Sequence, residues 1–172
     1  GDSEDVINLI RAQLDLVKLK KRFPNKQTIN KILSLSVNTG KKVEEIIAEE
    51  YPHFAEHTDK IIEIGRIYKS YKKNSQLLDY DDLLVYLRDF LNDTQKSYSL
   101  TQNIEYVMVD EYQDTNKLQA DIVLGLAKHN NNIMVVGDDS QSIYSFRGAN
   151  FKNIMNFPNL FPGAKLIMLE EN

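Results

Sequence analysis

A chain of 172 residues that is 42% hydrophobic, 27% charged and 9% aromatic, with 7 Gly and 4 Pro, has the composition of one ordinary or two small folded domains, not of a disordered or fibrous protein. It has no cysteine, so disulfides, thiolate metal sites and cysteine nucleophiles are excluded and a reducing, cytoplasmic setting is expected; no apolar run approaches the ~20 residues of a membrane span. The net charge of −4 is uneven, with 14 Lys and Arg against 11 Asp and Glu in residues 1–76 and 7 against 14 in residues 77–172.

The acidic start, Gly1 to Asp5, is unlike the basic head of a signal peptide. Ser3 is placed to cap a first helix in which Val6, Ile10, Leu14 and Val17 recur at helical spacing, and Lys20, Lys21 and Arg22 crowd its end before Pro24. A second helix is predicted from Thr28 to about Val37, stopping at Asn38-Thr39-Gly40, a third from Val43 to Glu50, and a fourth from Pro52 to Lys73. Leu77 to Leu91 keeps the period, with Leu83, Leu84, Leu87 and Leu91 on one face, and no strand pattern precedes residue 100. The weak positive charge of this part suits a phosphate-backbone partner and equally an ordinary solvated helical surface.

The texture then changes. Ile104 to Val109, Ile133 to Val136 and Leu166 to Leu169 read as short, buried parallel strands, and Asn116 to Lys128 and Asn150 to Phe157 as crossover helices between them, a β-α-β-α-β pattern. Open sheets of this kind carry their chemistry beyond the carboxyl ends of the strands.

The first strand runs into Val109-Asp110-Glu111-Tyr112-Gln113-Asp114-Thr115-Asn116. Magnesium takes one or two carboxylates plus water and phosphate oxygens, so Asp110 suits the metal and Glu111 an attacking water. The same acidic run also suits the start of the next helix, which Asp114, Thr115 or Asn116 can cap. The second strand runs into Val136-Gly137-Asp138-Asp139-Ser140-Gln141-Ser142-Ile143-Tyr144-Ser145-Phe146-Arg147-Gly148-Ala149. Gln141 can donate to and accept from a phosphate or a water, while Tyr144, Phe146 and Arg147 offer stacking surface and a phosphate fork, as a single-strand binding groove needs. Core packing of the two aromatics and an ion pair for Arg147 would explain them as well.

Together with Leu78 to Leu84 (LDYDDLL) and the terminal Leu169 to Asn172 (LEEN), these two segments resemble the UvrD/Rep/PcrA-type superfamily-one DNA helicases, in which residues 109–116 look like the Walker B segment and 136–149 like the motif coupling ATP to DNA. The resemblance is strong over residues 77–172 and weaker over the helical first part. It implies an α/β fold: part of a RecA-like P-loop NTPase sheet with crossover helices over residues 77–172, preceded by an all-α insert over residues 1–76. It further implies that Asp110 binds Mg²⁺, Glu111 activates the hydrolytic water, Gln141 senses the γ-phosphate of ATP, and Tyr144, Phe146 and Arg147 contact single-stranded DNA, with single-stranded DNA and duplex junctions as the protein's partners. Phe146 stands where some members have tryptophan and Ser145 where some have arginine. The first change keeps a stacking face, and the second removes a possible phosphate contact.

The phosphate-loop pattern G-x-x-x-x-G-K-[ST] occurs nowhere: Gly40-Lys41 is followed by Lys42, and the first glycine would fall on Leu35. The family's later motifs are also absent, so the chain is expected to be a fragment that hydrolyses no ATP without the remainder of the helicase. Two other readings stand beside this one. A non-catalytic module could bind nucleic acid or protein through the helical part. His53-Phe54-Ala55-Glu56-His57 also matches H-x-x-E-H, which on an α-helix from Pro52 would put both histidines on one face for zinc, although no third ligand motif is present.

Overall fold

Isoleucine spacing organises the first half of the chain. The computed structural model describes residues 1–16, 23–138, 152–161 and 163–168, which fall into two compact units, residues 1–89 and 90–172. In the first unit, α1 (Asp2–Gln13), α2 (Lys26–Thr39), α3 (Val43–Glu50) and α4 (Thr58–Asn74) bring Ile7, Ile10, Ile29, Ile32, Ile46, Ile47, Ile61 and Ile64 into one cluster, each at most 1% exposed. The i, i+3 pairs Ile7/Ile10, Ile29/Ile32 and Ile61/Ile64 each line one helix face, so packing these faces together removes the apolar stripes from water. Each such side chain contributes about 1.5–3 kcal/mol.

The helix ends follow local chemistry. The Asp5 amide donates to the Gly1 carbonyl (3.1 Å), so α1 starts before Ser3, which lies inside the first turn instead of capping it. α1 also ends at Gln13, short of the expected Val17, because Asp15 adopts the left-handed region at φ 53°; Lys20, Lys21 and Arg22 lie outside the described residues. The Asn25 side chain caps α2 by accepting from the Thr28 amide (2.8 Å), and Gly40, at φ 70°, ends it. α3 has the predicted bounds.

Residues Pro52–His57 form a 3₁₀ helix instead of the first turns of α4. At three residues per turn, positions 53 and 57 lie about 120° apart, off a common face. His57 is instead buried with its ring edge-on to Phe23 (5.0 Å between centroids), and His53 lies against Phe54. No group of three His, Cys, Asp or Glu among the described residues could hold a metal ion. The zinc-peptidase geometry is therefore not formed.

Beyond α4, Gln76 turns the chain at φ 53°, which delays α5 (Tyr80–Asn92) from the expected start at Leu77. Asp79 and Asp82 then cap reciprocally: the Asp82 amide donates to Asp79 Oδ1 (2.8 Å) and the Asp79 amide to Asp82 Oδ2 (3.0 Å). Lys72 bonds both carboxylates, and the Tyr68 hydroxyl donates to Asp79 (2.9 Å). Burial alone would raise the Asp79 carboxyl, but the bonds from Lys72, the Asp82 amide and Tyr68 outweigh it and hold it below the ordinary carboxylate range. The Leu78 to Leu84 segment thus ties α4 to α5.

In the second unit, α6 (Thr94–Thr101) leads to β1 (Val107–Val109), a 3₁₀ turn (Tyr112–Asp114), α7 (Lys117–Ala127), β2 (Ile133–Val135) and α8 (Lys152–Leu160). β1 and β2 are parallel, with Val107, Met108 and Val109 opposite Ile133, Met134 and Val135, and α7 is the crossover between them. The Asn116 side chain accepts from the Gln119 amide (2.9 Å) and Gln119 accepts from the Asn116 amide (3.0 Å), a capping box that starts α7 where expected. Gly125 lets α7 approach Leu91 so closely that an added Cβ would lie 2.8 Å from the Leu91 Cβ.

Two strand expectations are corrected. The strands are not buried on both faces: Met108 and Met134 are 70% and 53% exposed, because among the described residues the sheet lacks the helical cover on its second face that buries such strands. Residues 166–168 form no strand and are exposed; a strand exists only as part of a hydrogen-bonded ladder, and none is formed there. No helix among the described residues is long and apolar enough to cross a membrane.

Candidate active site

The carboxyl ends of β1 and β2 meet in one small constellation. Past the last paired residues, the Val136 amide donates to the Val109 carbonyl (2.8 Å) and the Tyr112 amide to the Val136 carbonyl (2.9 Å); a regular parallel ladder would use the Glu111 amide instead, so one extra residue is accommodated within Asp110 and Glu111. Asp110 Oδ1 accepts from the Glu111 amide (2.9 Å), and Glu111 takes the left-handed conformation, φ 51° and ψ 41°. For a residue other than glycine that conformation costs about 1–2 kcal/mol, the kind of local strain that collects at functional sites. Both side chains are exposed.

The capping explanation for this acidic run is answered by Asn116, which does that work with Gln119. Asp114 belongs to the 3₁₀ turn, its amide donating to the Glu111 carbonyl (2.9 Å). Asp110 and Glu111 are not needed to start α7. Two exposed carboxylates, with no third ligand beside them among the described residues, match the donor set of Mg²⁺, which keeps several waters and phosphate oxygens of its substrate.

Beneath the two acids lies Gln113, 1% exposed. Its Nε2 donates to Glu111 Oε2 (2.6 Å) and its Oε1 accepts from the Asp138 amide (3.1 Å), linking the two strand ends. Gly137 makes room for it, since an added Cβ there would lie 2.4 Å from Gln113 Oε1 and 2.8 Å from Ile154 Cδ1. Neither residue is marked out by the sequence pattern. The only available signal was an amide, able to donate and accept at once, two positions after the acidic pair.

Tyr112 is fully buried and meets Phe157 edge-on (5.7 Å between centroids). Burial, with a smaller effect of Asp121, raises its hydroxyl above the ordinary phenol range, and that hydroxyl has no hydrogen-bond partner among the described residues. An unpaired buried donor costs about 1–3 kcal/mol. Tyr112→Phe is therefore expected to leave the thermal midpoint unchanged or raise it; a clear drop in thermal unfolding would show that the hydroxyl is satisfied after all.

Of the other predicted site residues, Gln141, Tyr144, Phe146 and Arg147 lie outside the described residues, as does the segment Leu169 to Asn172. Asp138 is the last described residue of the second motif before them.

The UvrD/REP helicase N-terminal domain family matches residues 1–162. Among curated proteins, the ATP-dependent DNA helicase PcrA of Leuconostoc citreum is 44% identical over 117 residues, 66% of this chain and 15% of that protein. The DNA helicase II of Rickettsia typhi is 34% identical over 177 residues, 98% of this chain and 26% of its own length. The ATP-dependent DNA helicase PcrA of Bacillus subtilis is 33% identical over 178 residues, covering 99% of this chain and 23% of that protein. The chain thus spans about a quarter or less of the length of these relatives.

Proposed function

Because the chain belongs to the UvrD/REP helicase family, we propose that it is part of an ATP-driven DNA helicase: a helical insert over residues 1–76 and part of a RecA-like motor domain over residues 77–172. The observation that carries this reading is the pair Asp110 and Glu111, set at the carboxyl edge of a parallel β1–β2 pair and relieved of any capping duty. Asp110 would hold Mg²⁺, and bound Mg-ATP would supply the phosphoryl group whose transfer drives movement. Glu111 would orient the attacking water and take its proton. Gln141, in the sequence after β2, would contact the γ-phosphate, while Tyr144 and Phe146 would stack on bases and Arg147 would hold a backbone phosphate of single-stranded DNA. One segment of the chain would then touch nucleotide and DNA, coupling hydrolysis to stepping.

No phosphate-loop pattern occurs in these 172 residues, so turnover belongs to the full-length protein, in a cytoplasmic setting. That protein is expected to hydrolyse ATP only with Mg²⁺ and faster with single-stranded DNA. In it, Arg147→Ala should weaken single-strand binding and reduce the slope of log K against log salt by about 0.7, the loss of one phosphate contact. An unchanged titration would remove Arg147 from the DNA footprint, and turnover indifferent to Mg²⁺ would remove the motor.

A further inference from the structure

We propose that Gln113 is a positioning residue that fixes the Glu111 carboxylate and ties it to the end of β2, an inference that rests on Glu111 acting as the base. A glutamate side chain has three rotatable bonds, and at an exposed position it samples many rotamers. The bond from Gln113 Nε2 (2.6 Å) holds one carboxylate oxygen, Oε2, and leaves the other available to a water. A hydrogen bond to an ionised acceptor is about twice as strong as a neutral one, enough to select one arrangement.

Gln113 can do this because it is itself held. Its Oε1 faces the Asp138 amide, and a flipped side-chain amide would set N–H against N–H, so the network allows one orientation. Burial at 1% exposure removes competing water. Gly137 is needed for the approach, its missing Cβ being the space that Oε1 occupies. A buried amide serving only the fold would be expected to pair with backbone at both ends; this one spends its donor on the exposed acid at the crest of the turn. The position of Asp138 is thereby transmitted through a single side chain to Glu111.

The test is a double-mutant cycle on ATP turnover in the full-length protein with Mg²⁺ and saturating single-stranded DNA. Gln113→Met keeps length and apolar bulk but removes both hydrogen bonds. The expected result is a kcat lower by about 10- to 100-fold, as for a misplaced catalytic group, a KM for ATP changed less than about threefold, and little further loss when the change is added to Glu111→Gln, because both act through one group. An unchanged kcat, or the same fold loss in both backgrounds, would overturn the proposal. If Glu111→Gln itself leaves turnover intact, the base assignment fails instead, which separates the two ideas. Should Gln113→Met not fold, Gly137→Ala, which crowds Oε1 from the other side, is carried through the same cycle with the same criteria.

Discussion

Glu111→Gln in the full-length protein is expected to lower DNA-stimulated ATP turnover by about 10²- to 10⁴-fold, the range of a lost general base. That corresponds to about 3–5 kcal/mol of activation free energy. The replacement has nearly the same shape and the same backbone demands, so the turn at φ 51° is retained. An amide oxygen can still accept from Gln113 Nε2, but it cannot take a proton from water. Asp110 is untouched, and the KM for ATP should therefore move by no more than a few-fold. Steady-state kinetics at saturating single-stranded DNA decide the matter: a loss below about threefold would mean that the proton goes elsewhere.

The second large effect is on stability. Ile64→Ala should cost the helical unit about 2–5 kcal/mol, the range for removing a large aliphatic side chain from a closed core. Ile64 is fully buried on α4 and belongs to the cluster that Ile7, Ile32 and Ile61 also line. Four helices converge there, which leaves little freedom for the cavity to collapse. Native-state hydrogen exchange should show amides of α1, α2 and α4 opening at least about 30-fold more often, as the lower end of that range requires. Protection changed by less than about threefold would mean that the core repacks around the gap.

Where local chemistry alone decides, the chain was legible. α3 has its predicted bounds, and α7 begins where Asn116 and Gln119 can cap each other. The apolar period of α1 continues to Val17, whereas the helix breaks by a backbone choice at Asp15 that no pattern announces. The helix predicted from Pro52 failed in pitch rather than place, and pitch decides which side chains share a face. Residues 166–168 show the apolar signature of a strand, but a strand also needs a neighbour to bond to, which composition does not encode.

The candidate site divides in the same way. Asp110 and Glu111 could be found because adjacent acids directly after an apolar run mark a strand end. Gln113 and Gly137 could not, since their roles arise from contact between segments some 25 positions apart. A glycine that excludes its own Cβ is visible only once the neighbouring amide is in place.

The left-handed turn at Glu111 has one more consequence. Glycine would occupy φ 51° without the penalty that glutamate bears, about 1–2 kcal/mol. Selection for folding alone would drift toward glycine at this position, and each such substitution would yield a sturdier protein with no acid at the crest. With Glu111 as the proposed base, thermostability and turnover would be opposed at a single codon, and screens for hardier variants would discard that acid first.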